Sequence, residues 1–313
     1  MHSSYIVRGR GHLSHPVALP RCFLSIGQSS HVSARYPTQC VHDMSHQSTS
    51  GVIVVSDLDW TMVNHHQSPD HTDLKTFNST WKHIVEKNPD SLLVYSSGRS
   101  PVLYEELAGE VPLLQPDILV CSVGTEMMFL KDASKQGIHD AWEEYLNGEG
   151  WDREVVQRVV SDMVYDGIDV SLQQESEQRP HKVSYKVRGE DVGRLVDGIR
   201  STLERSHGMR VNVIYSGGED LDVLPLRASK GKALEFFLEH GHVHDAPVVV
   251  CGDSGNDVEL FQVPGVHGCI VANAHVELRD WYEAHGKDND KMFFCTQQGP
   301  AGIVECLHHF GFV

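Results

Sequence analysis

The chain has 313 residues, 40% of them hydrophobic, enough for one large core or two modest ones. A formal charge of −17, from 43 acidic and 26 basic side chains, argues against a nucleic-acid surface, which is ordinarily basic. The longest apolar runs, such as Val248–Cys251, fall far short of the ~18 residues a membrane span needs, so no transmembrane helix is expected.

Residues 1–50 differ from the rest. They hold four arginines, no lysine, one acid (Asp43), ten serines and six histidines, a net +3 that leaves −20 on residues 51–313. An Arg/Ser-rich, acid-poor start is the composition of an organelle transit peptide. A disordered tail, or a true start at Met44, accounts for it as well. The seven cysteines (22, 40, 121, 251, 269, 295 and 306) include no C-x-x-C pair, and several lie in apolar runs. That reads as buried, reduced thiols in a reducing compartment. The expected location is cytoplasmic, or an organelle if residues 1–50 are a transit peptide.

From Gly51 onward, strands and helices alternate. Val52–Ser56 reads as a buried strand, and 72–87 as a helix with Leu74, Phe77, Trp81 and Ile84–Val85 on one face. Leu92–Tyr95 is a second strand, followed by the turn "SSGRSP" and a helix over 101–109. Ile118–Cys121 is a third. Over 132–226 the rhythm changes. A helical run (152–163) precedes "HKVSYKV", 181–187, which alternates Lys182, Ser184 and Lys186 with Val183, Tyr185 and Val187. "VNVIYSGGEDLDVLP", 211–225, reads as two strands joined by a Gly-Gly turn. This segment is expected to be an inserted α+β module with one open face. Sheet-type strands then resume at Pro247–Val250, Ile270–Val271 and Met292–Phe294, with helices at 256–262, 275–285 and 300–309. Strands separated by helices imply parallel pairing, so the expected fold is an α/β, doubly wound parallel sheet over 51–131 and 227–313, interrupted by 132–226.

In such a sheet, ligands bind beyond the carboxyl ends of the strands. Asp57 and Asp59 follow the first strand, Ser97-Gly98 the second, and Asp253 and Asp257 follow "APVVVCG", while Lys230 starts the helix before that last strand. Four acids in one crevice repel unless a cation lies among them, and hard oxygen ligands suit Mg²⁺. The expected ligands are Asp57, Asp59, Asp253 and Asp257, with the metal and Lys230 lying between Asp57 and Asp59. Given a metal, Asp57 can attack phosphorus to form an aspartyl-phosphate. Asp59 would protonate the leaving oxygen and then deprotonate the hydrolytic water. Ser97, the Gly98 amide and Lys230 would hold the phosphoryl oxygens.

These residues carry a resemblance. D-x-D-x-T after a strand, Ser-Gly after the second, a lysine and then G-D-S-G-N-D resemble, in order and spacing, the four motifs of the haloacid-dehalogenase-like phosphatases. "SDLDWTMVNHH", "SSGRSP", "PDILVCSVGTE", "EQRPHKVSY", "YSGGEDLDVLP", "KGKAL" and "CGDSGNDVELF" are similar to the sucrose-6-phosphate phosphatase family, from about 52 to 310. The resemblance implies that 132–226 is a cap closing over the sugar. It implies hydrolysis of sucrose 6-phosphate to sucrose and phosphate with Mg²⁺, the last step of sucrose biosynthesis. It places Lys182, Asp220 and Asp222 on the cap face that reads sugar hydroxyls, and makes sucrose-phosphate synthase a candidate partner beside the small sugar phosphate. Trp60 stands at the variable place of D-x-D-x-T, and Ser97 where many relatives have threonine. The chain ends at Val313, after "HHFGFV", where plant members continue into a C-terminal domain. In this it resembles bacterial members, and nothing follows for this chain from roles assigned to that domain.

Blander readings stand beside these. Ser97 is also a natural helix N-cap, Lys232 competes with Lys230, Lys182 could lie along the surface, and Asp220 and Asp222 suit the wet face of a hairpin. The histidine pairs 65–66 and 308–309 are what a chain with 21 histidines produces. "GDSG", 252–255, is also the nucleophile segment of trypsin-like proteases, which would make Ser254 the nucleophile but needs an all-β fold. A metal-dependent glycosyltransferase would use Asp57 and Asp59 but leave Lys230 unexplained. A non-catalytic domain regulating the synthase would be expected to lack Asp57 or Asp59. Within the phosphatases, trehalose, mannosyl-glycerate and hexose phosphates are the alternative substrates.

Overall fold

The structure, a computed structural model, describes residues 51–313 apart from 66–69, 164–166, 217, 242 and 244. The expectations for residues 1–50 lie outside the described residues. Along the chain run β1 (Ile53–Ser56), α1 (Thr72–Lys87), β2 (Leu92–Ser96), α2 (Pro101–Glu110), β3 (Ile118–Cys121), β4 (Glu126–Phe129) and α3 (Gln136–Leu146). Then come α4 (Arg153–Asp162), β5 (Ile168–Leu172), β6 (Val183–Gly189), α5 (Val192–His207), β7 (Val211–Ser216) and β8 (Asp220–Pro225). The chain closes with α6 (Lys230–His240), β9 (Val248–Gly252), α7 (Val258–Phe261), β10 (His267–Ile270), α8 (Val276–Trp281), β11 (Met292–Phe294) and α9 (Gly299–His309).

Why β1 is the centre follows from its side chains. Ile53 and Val55 enter one core cluster, Val54 the other, and none is more than 1% exposed. A strand covered on both faces belongs inside a parallel sheet flanked by helices. The sheet order is β11-β10-β9-β1-β2-β3-β4, parallel throughout except for β4 against β3. On one face pack α1, α2 and α9; α1 turns Leu74, Phe77, Trp81 and Ile84 inward at helical spacing. On the other face lie α3, α6, α7 and α8. Strand order reverses at β1, between β2 and β9, and that switch point is where such sheets open a crevice.

A second sheet, β5-β6-β8-β7, is antiparallel, with α4 and α5 burying Val156, Val160, Leu195 and Leu203 against it.

Several expectations need correction. The third strand is followed by an antiparallel partner, β4, which was not foreseen. Ser122, Val123 and Gly124 all have positive φ and reverse the chain within three residues. α3 packs its Trp142 and Leu146 into the main-sheet core, so the inserted part begins after Leu146 rather than at 132. The polar face that starts at Lys182 and runs into β6 is closed at that end, where Lys182 and Ser184 are at most 1% exposed, and opens only toward Lys186 and Arg188. The helix over 256–262 begins as a tight turn, Gly255–Asp257, before α7. The strand at Ile270–Val271 lies earlier, over His267–Ile270. Cys121, Cys251, Cys269, Cys295 and Cys306 are buried free thiols.

Gly124 joins the fold to the site. At φ 87° it lies against the start of α6, where an added Cβ would collide with the Ser229 carbonyl. Gly124→Ala is expected to destabilise by more than about 2 kcal/mol, from left-handed strain and the clash together. A lower urea midpoint with an unchanged slope would report it; an unchanged midpoint would mean the contact yields freely.

Candidate active site

The Asp57 N–H donates to the Cys251 carbonyl at 3.0 Å, which ties the end of β1 to β9. The chain then turns sharply, with Trp60 at φ 63° and the Val63 N–H on the Leu58 carbonyl at 2.7 Å. This turn delivers the Thr61 hydroxyl to Asp253 Oδ1 at 2.9 Å, so the first and last acidic segments are stitched together.

Lys230 is the hub. Ser229 caps α6 by accepting the Lys232 N–H, which leaves Lys230 as the first helical residue, with its side chain fully buried. Its Nζ donates to Asp57 Oδ1 at 2.7 Å, Asp257 Oδ1 at 2.7 Å and Asn256 Oδ1 at 2.8 Å. Asp257 Oδ2 accepts the N–H groups of Asp253 and Ser254, each at 3.1 Å. Gly252 makes room for this, since a Cβ there would stand 2.6 Å from that of Asp257.

Carboxylate oxygens of Asp57, Asp253 and Asp257 gather within 4.8 Å of one another, all buried. Burial pushes the Asp57 carboxyl up to about 7 against the pull of Lys230. Burial likewise raises Asp253, to about 9, helped by the charges of Asp57 and Asp257. One ammonium cannot balance three carboxylates, so a second cation is what would keep all three ionised. No described residue donates a hydrogen bond to Asp57 Oδ2. The donor set is all oxygen and closely spaced, so it fits a small hard divalent ion, whose ligands lie at about 2.0–2.1 Å.

Asp59 is elsewhere. Its two oxygens accept from Arg99 Nε and Nη2, each at 2.7 Å, and Oδ1 also meets His65 Nε2 at 2.7 Å. Burial would raise its pKa, but the hydrogen bonds and charge of Arg99, with His65, more than offset that and hold it below the usual carboxylate range. The expectation that a metal and Lys230 separate Asp57 from Asp59 is therefore corrected. Lys230 lies between Asp57 and Asp257, and the side chain of Asp59 is neutralised by Arg99 outside the acid cluster.

A cavity of about 400 Å³ opens over these residues, lined by Asp57, Asp59, Gly98, Arg99, Asp253 and, from the second sheet, Lys182, Asp220 and Asp222. Its size is that of an ordinary small-molecule site. Ser97 and Lys230, both buried, are not among the residues that line it; Ser97 Oγ accepts the Arg99 N–H at 3.1 Å. Lys232 is half exposed and paired with Glu235 at 2.6 Å, which separates it from Lys230. Lys182 is 1% exposed and bonded to Glu177 at 2.6 Å, so it does not lie along the surface. Asp220 meets Lys186 at 2.6 Å and Gln173 at 2.8 Å. Asp222, raised by burial, accepts from Ser184. Ser254 joins a strand to a helical turn and donates to Asn256 Oδ1 at 3.2 Å, and no described histidine is hydrogen-bonded to it; the protease reading ends there.

The sequence model of the sucrose-6F-phosphate phosphohydrolase family matches residues 50–311. The chain belongs to this family. It is 43% identical over 267 residues to sucrose-phosphatase 1 of Nicotiana tabacum, 84% of this chain and 60% of that one. It thus spans about three fifths of the plant relatives it matches. Mannosylfructose-phosphate phosphatase of Agrobacterium fabrum is 32% identical, with 83% of this chain and 96% of that one aligned. Among solved structures, the sucrose-phosphatase of Synechocystis sp. PCC6803, in complex with sucrose and phosphate, superposes with a TM-score of 0.68 at 29% identity, covering 83% and 98% of the two chains.

The chain also carries polar contacts around the cavity that residue spacing did not reveal. Arg99 and Glu177 both lie inside quoted motifs, "SSGRSP" and "EQRPHKVSY", yet their partners are 40 and 77 residues away. His65, discounted with its neighbour, contacts Asp59. Glu126, from "VGTE", accepts Arg179 in two hydrogen bonds at 2.8 and 2.7 Å, pinning β4 to the turn before β6.

Proposed function

We propose that the chain is a Mg²⁺-dependent phosphoric monoester hydrolase acting on a fructose-containing disaccharide phosphate, sucrose 6-phosphate foremost. The observation that carries this reading is the buried cluster of Asp57, Asp253, Asp257 and Lys230 under a cavity roofed by a second sheet. Asp57, Asp253 and Asp257 would hold the ion, which when bound supplies positive charge against the phosphoryl oxygens.

Asp57 Oδ2 would form the bond to phosphorus as the bond to the sugar oxygen breaks. Lys230, on the other oxygen of Asp57, fixes the carboxylate's rotation and balances its charge. The leaving oxygen would take a proton from Asp59, which in turn would receive one from the water that cleaves the acyl-phosphate, regenerating Asp57 and releasing phosphate. Held on a guanidinium, Asp59 is ionised, the form the second step needs. For the first step Arg99 must leave it, and a phosphate dianion entering beside Arg99 is the natural competitor.

The test is phosphate release from sucrose 6-phosphate, mannosylfructose phosphate, trehalose 6-phosphate and glucose 6-phosphate. The expected result is a kcat/KM for sucrose 6-phosphate at least about tenfold above trehalose and glucose phosphates, abolished by chelator. Equal rates would replace this reading with a broad phosphatase, and no release from any would favour a non-catalytic role. The Agrobacterium relative, aligned over nearly its whole length, supports mannosylfructose phosphate as the second reading; a higher rate on it would make that reading the first.

A further inference from the structure

The turn after β2, residues 97–100, can be accounted for bond by bond. The Ser97 N–H donates to the Val120 carbonyl at 2.8 Å, and the Ser97 carbonyl accepts from the Val123 N–H at 3.0 Å. The Arg99 N–H donates to Ser97 Oγ, and the Arg99 carbonyl accepts from the Ser122 N–H at 2.8 Å. The Ser100 carbonyl accepts from the Tyr104 N–H at 2.9 Å. Three groups of the turn are left for which the described main-sheet residues offer no partner: the Gly98 N–H, the Gly98 carbonyl and the Ser100 N–H. The carbonyl and the Ser100 N–H are taken by the second-sheet module. Lys182 Nζ donates to the Gly98 carbonyl at 3.1 Å, and Glu177 Oε1 accepts the Ser100 N–H at 3.1 Å. The two side chains close the clamp on each other, Lys182 Nζ to Glu177 Oε2 at 2.6 Å, with side chains 1% and 6% exposed. One backbone donor of the turn then carries no hydrogen bond from the described residues, the Gly98 N–H, and Gly98 lines the cavity.

We infer that Glu177 and Lys182 are positioning residues: the module supplies the last two bonds of the phosphate-binding turn, so the Gly98 N–H is aimed only when the module is seated. The inference rests on the phosphatase reading, and it differs from the expectation that Lys182 simply reads sugar hydroxyls. A buried ion pair seldom adds net stability over apolar replacements, so its use is sought in geometry. Both partners here end on backbone atoms of one turn, which is a geometric use. Because coupling between sites is reciprocal, phosphate bound at Gly98 should in turn hold the module down, even with no sugar present.

The experiment uses orthovanadate with Mg²⁺, a phosphate mimic that lacks any sugar. The double variant Glu177→Gln/Lys182→Met removes the Gly98 tie and both charges of the pair together; buried Asp222, 4.0 Å from Lys182 Nζ, loses that counter-charge and is pushed further up by burial. Vanadate should bind it at least about tenfold more weakly, and KM for p-nitrophenyl phosphate should rise by a like factor, with kcat falling less. Should that variant fail to fold, hydrogen exchange on the unaltered chain decides. Vanadate alone should slow exchange across 173–184 as well as around 57–61 and 97–100. Unchanged vanadate affinity with only the sugar-phosphate KM raised, or protection confined to the main-sheet loops, would overturn the inference. Vanadate binding is read directly, so a chain that turns over no sugar phosphate sinks the phosphatase reading while this comparison still gives its own answer.

Discussion

Asp57→Asn is expected to lower turnover of any phosphate ester by about 10⁴-fold or more, because it removes the atom that would bond to phosphorus in the proposed mechanism. The substitution is nearly isosteric. Oδ1 of the asparagine still accepts from Lys230, and Lys230 keeps Asp257 as its counter-charge at 2.7 Å. What changes is Oδ2, which becomes an NH₂ group whose lone pair is delocalised into the amide and does not attack phosphorus. The fold should not suffer. Burial already disfavours the Asp57 carboxylate, with its pKa up at about 7, so a neutral group there costs less at alkaline pH. At pH 8 without metal, the variant should melt no lower than the parent chain. Residual turnover within about tenfold of the parent would remove Asp57 from the nucleophile's role.

Metal removal should have the next largest effect, and its pH dependence has a definite sign. Asp57 and Asp253 are raised from 3.8 to about 7 and about 9 by burial, so the folded chain holds more protons than the unfolded one across that window. Stability from these groups is therefore complete below pH 4 and is lost as pH rises through 7 and then 9. Asp59 and Glu126 act the other way: burial notwithstanding, Arg99 and Arg179 hold them low, and their contribution is lost only as pH falls below the ordinary carboxylate range. The metal-free chain should thus be most stable in mild acid. A divalent ion competes with the protons on Asp57 and Asp253, so its effect must grow with pH. At a hundredfold excess over Kd it should stabilise by about 3 kcal/mol, or roughly 5–10 °C in Tm. Melting at pH 5.5 and 8.5, with chelator and with Mg²⁺, checks this. Equal gains at both pH values would mean that the ion binds elsewhere.

How much of this could be read without coordinates depended on distance along the chain. Asp57, Asp253 and Asp257 were legible because each follows an apolar run, and parallel strands deliver their carboxyl ends to one edge. Lys230 was legible as the start of a helix, although only packing separates it from Lys232, two residues on. The partners of Asp59 were not. Arg99 reaches it across 40 residues through a turn whose shape rests on Trp60 at positive φ, and no periodicity encodes that. Glu177 was hidden for the same reason, since its value lies in the Ser100 N–H of another element. Alternation in "HKVSYKV" correctly split β6 into polar and apolar faces, but alternation cannot tell water from a polar cavity. β4 was missed because "EMMF" is short and follows a reversal of three positive-φ residues that only Gly124 announced.

The central claim is that Asp57 carries the phosphoryl group between two displacements. The stereochemistry at phosphorus tests it most directly, using sucrose 6-phosphate whose phosphate is made chiral with oxygen isotopes and a chiral assay of the phosphoryl group passed to an acceptor alcohol. Two in-line displacements, first by Asp57 and then by the acceptor, predict overall retention of configuration. Inversion would mean that the acceptor attacks phosphorus in a single step, and would contradict the account.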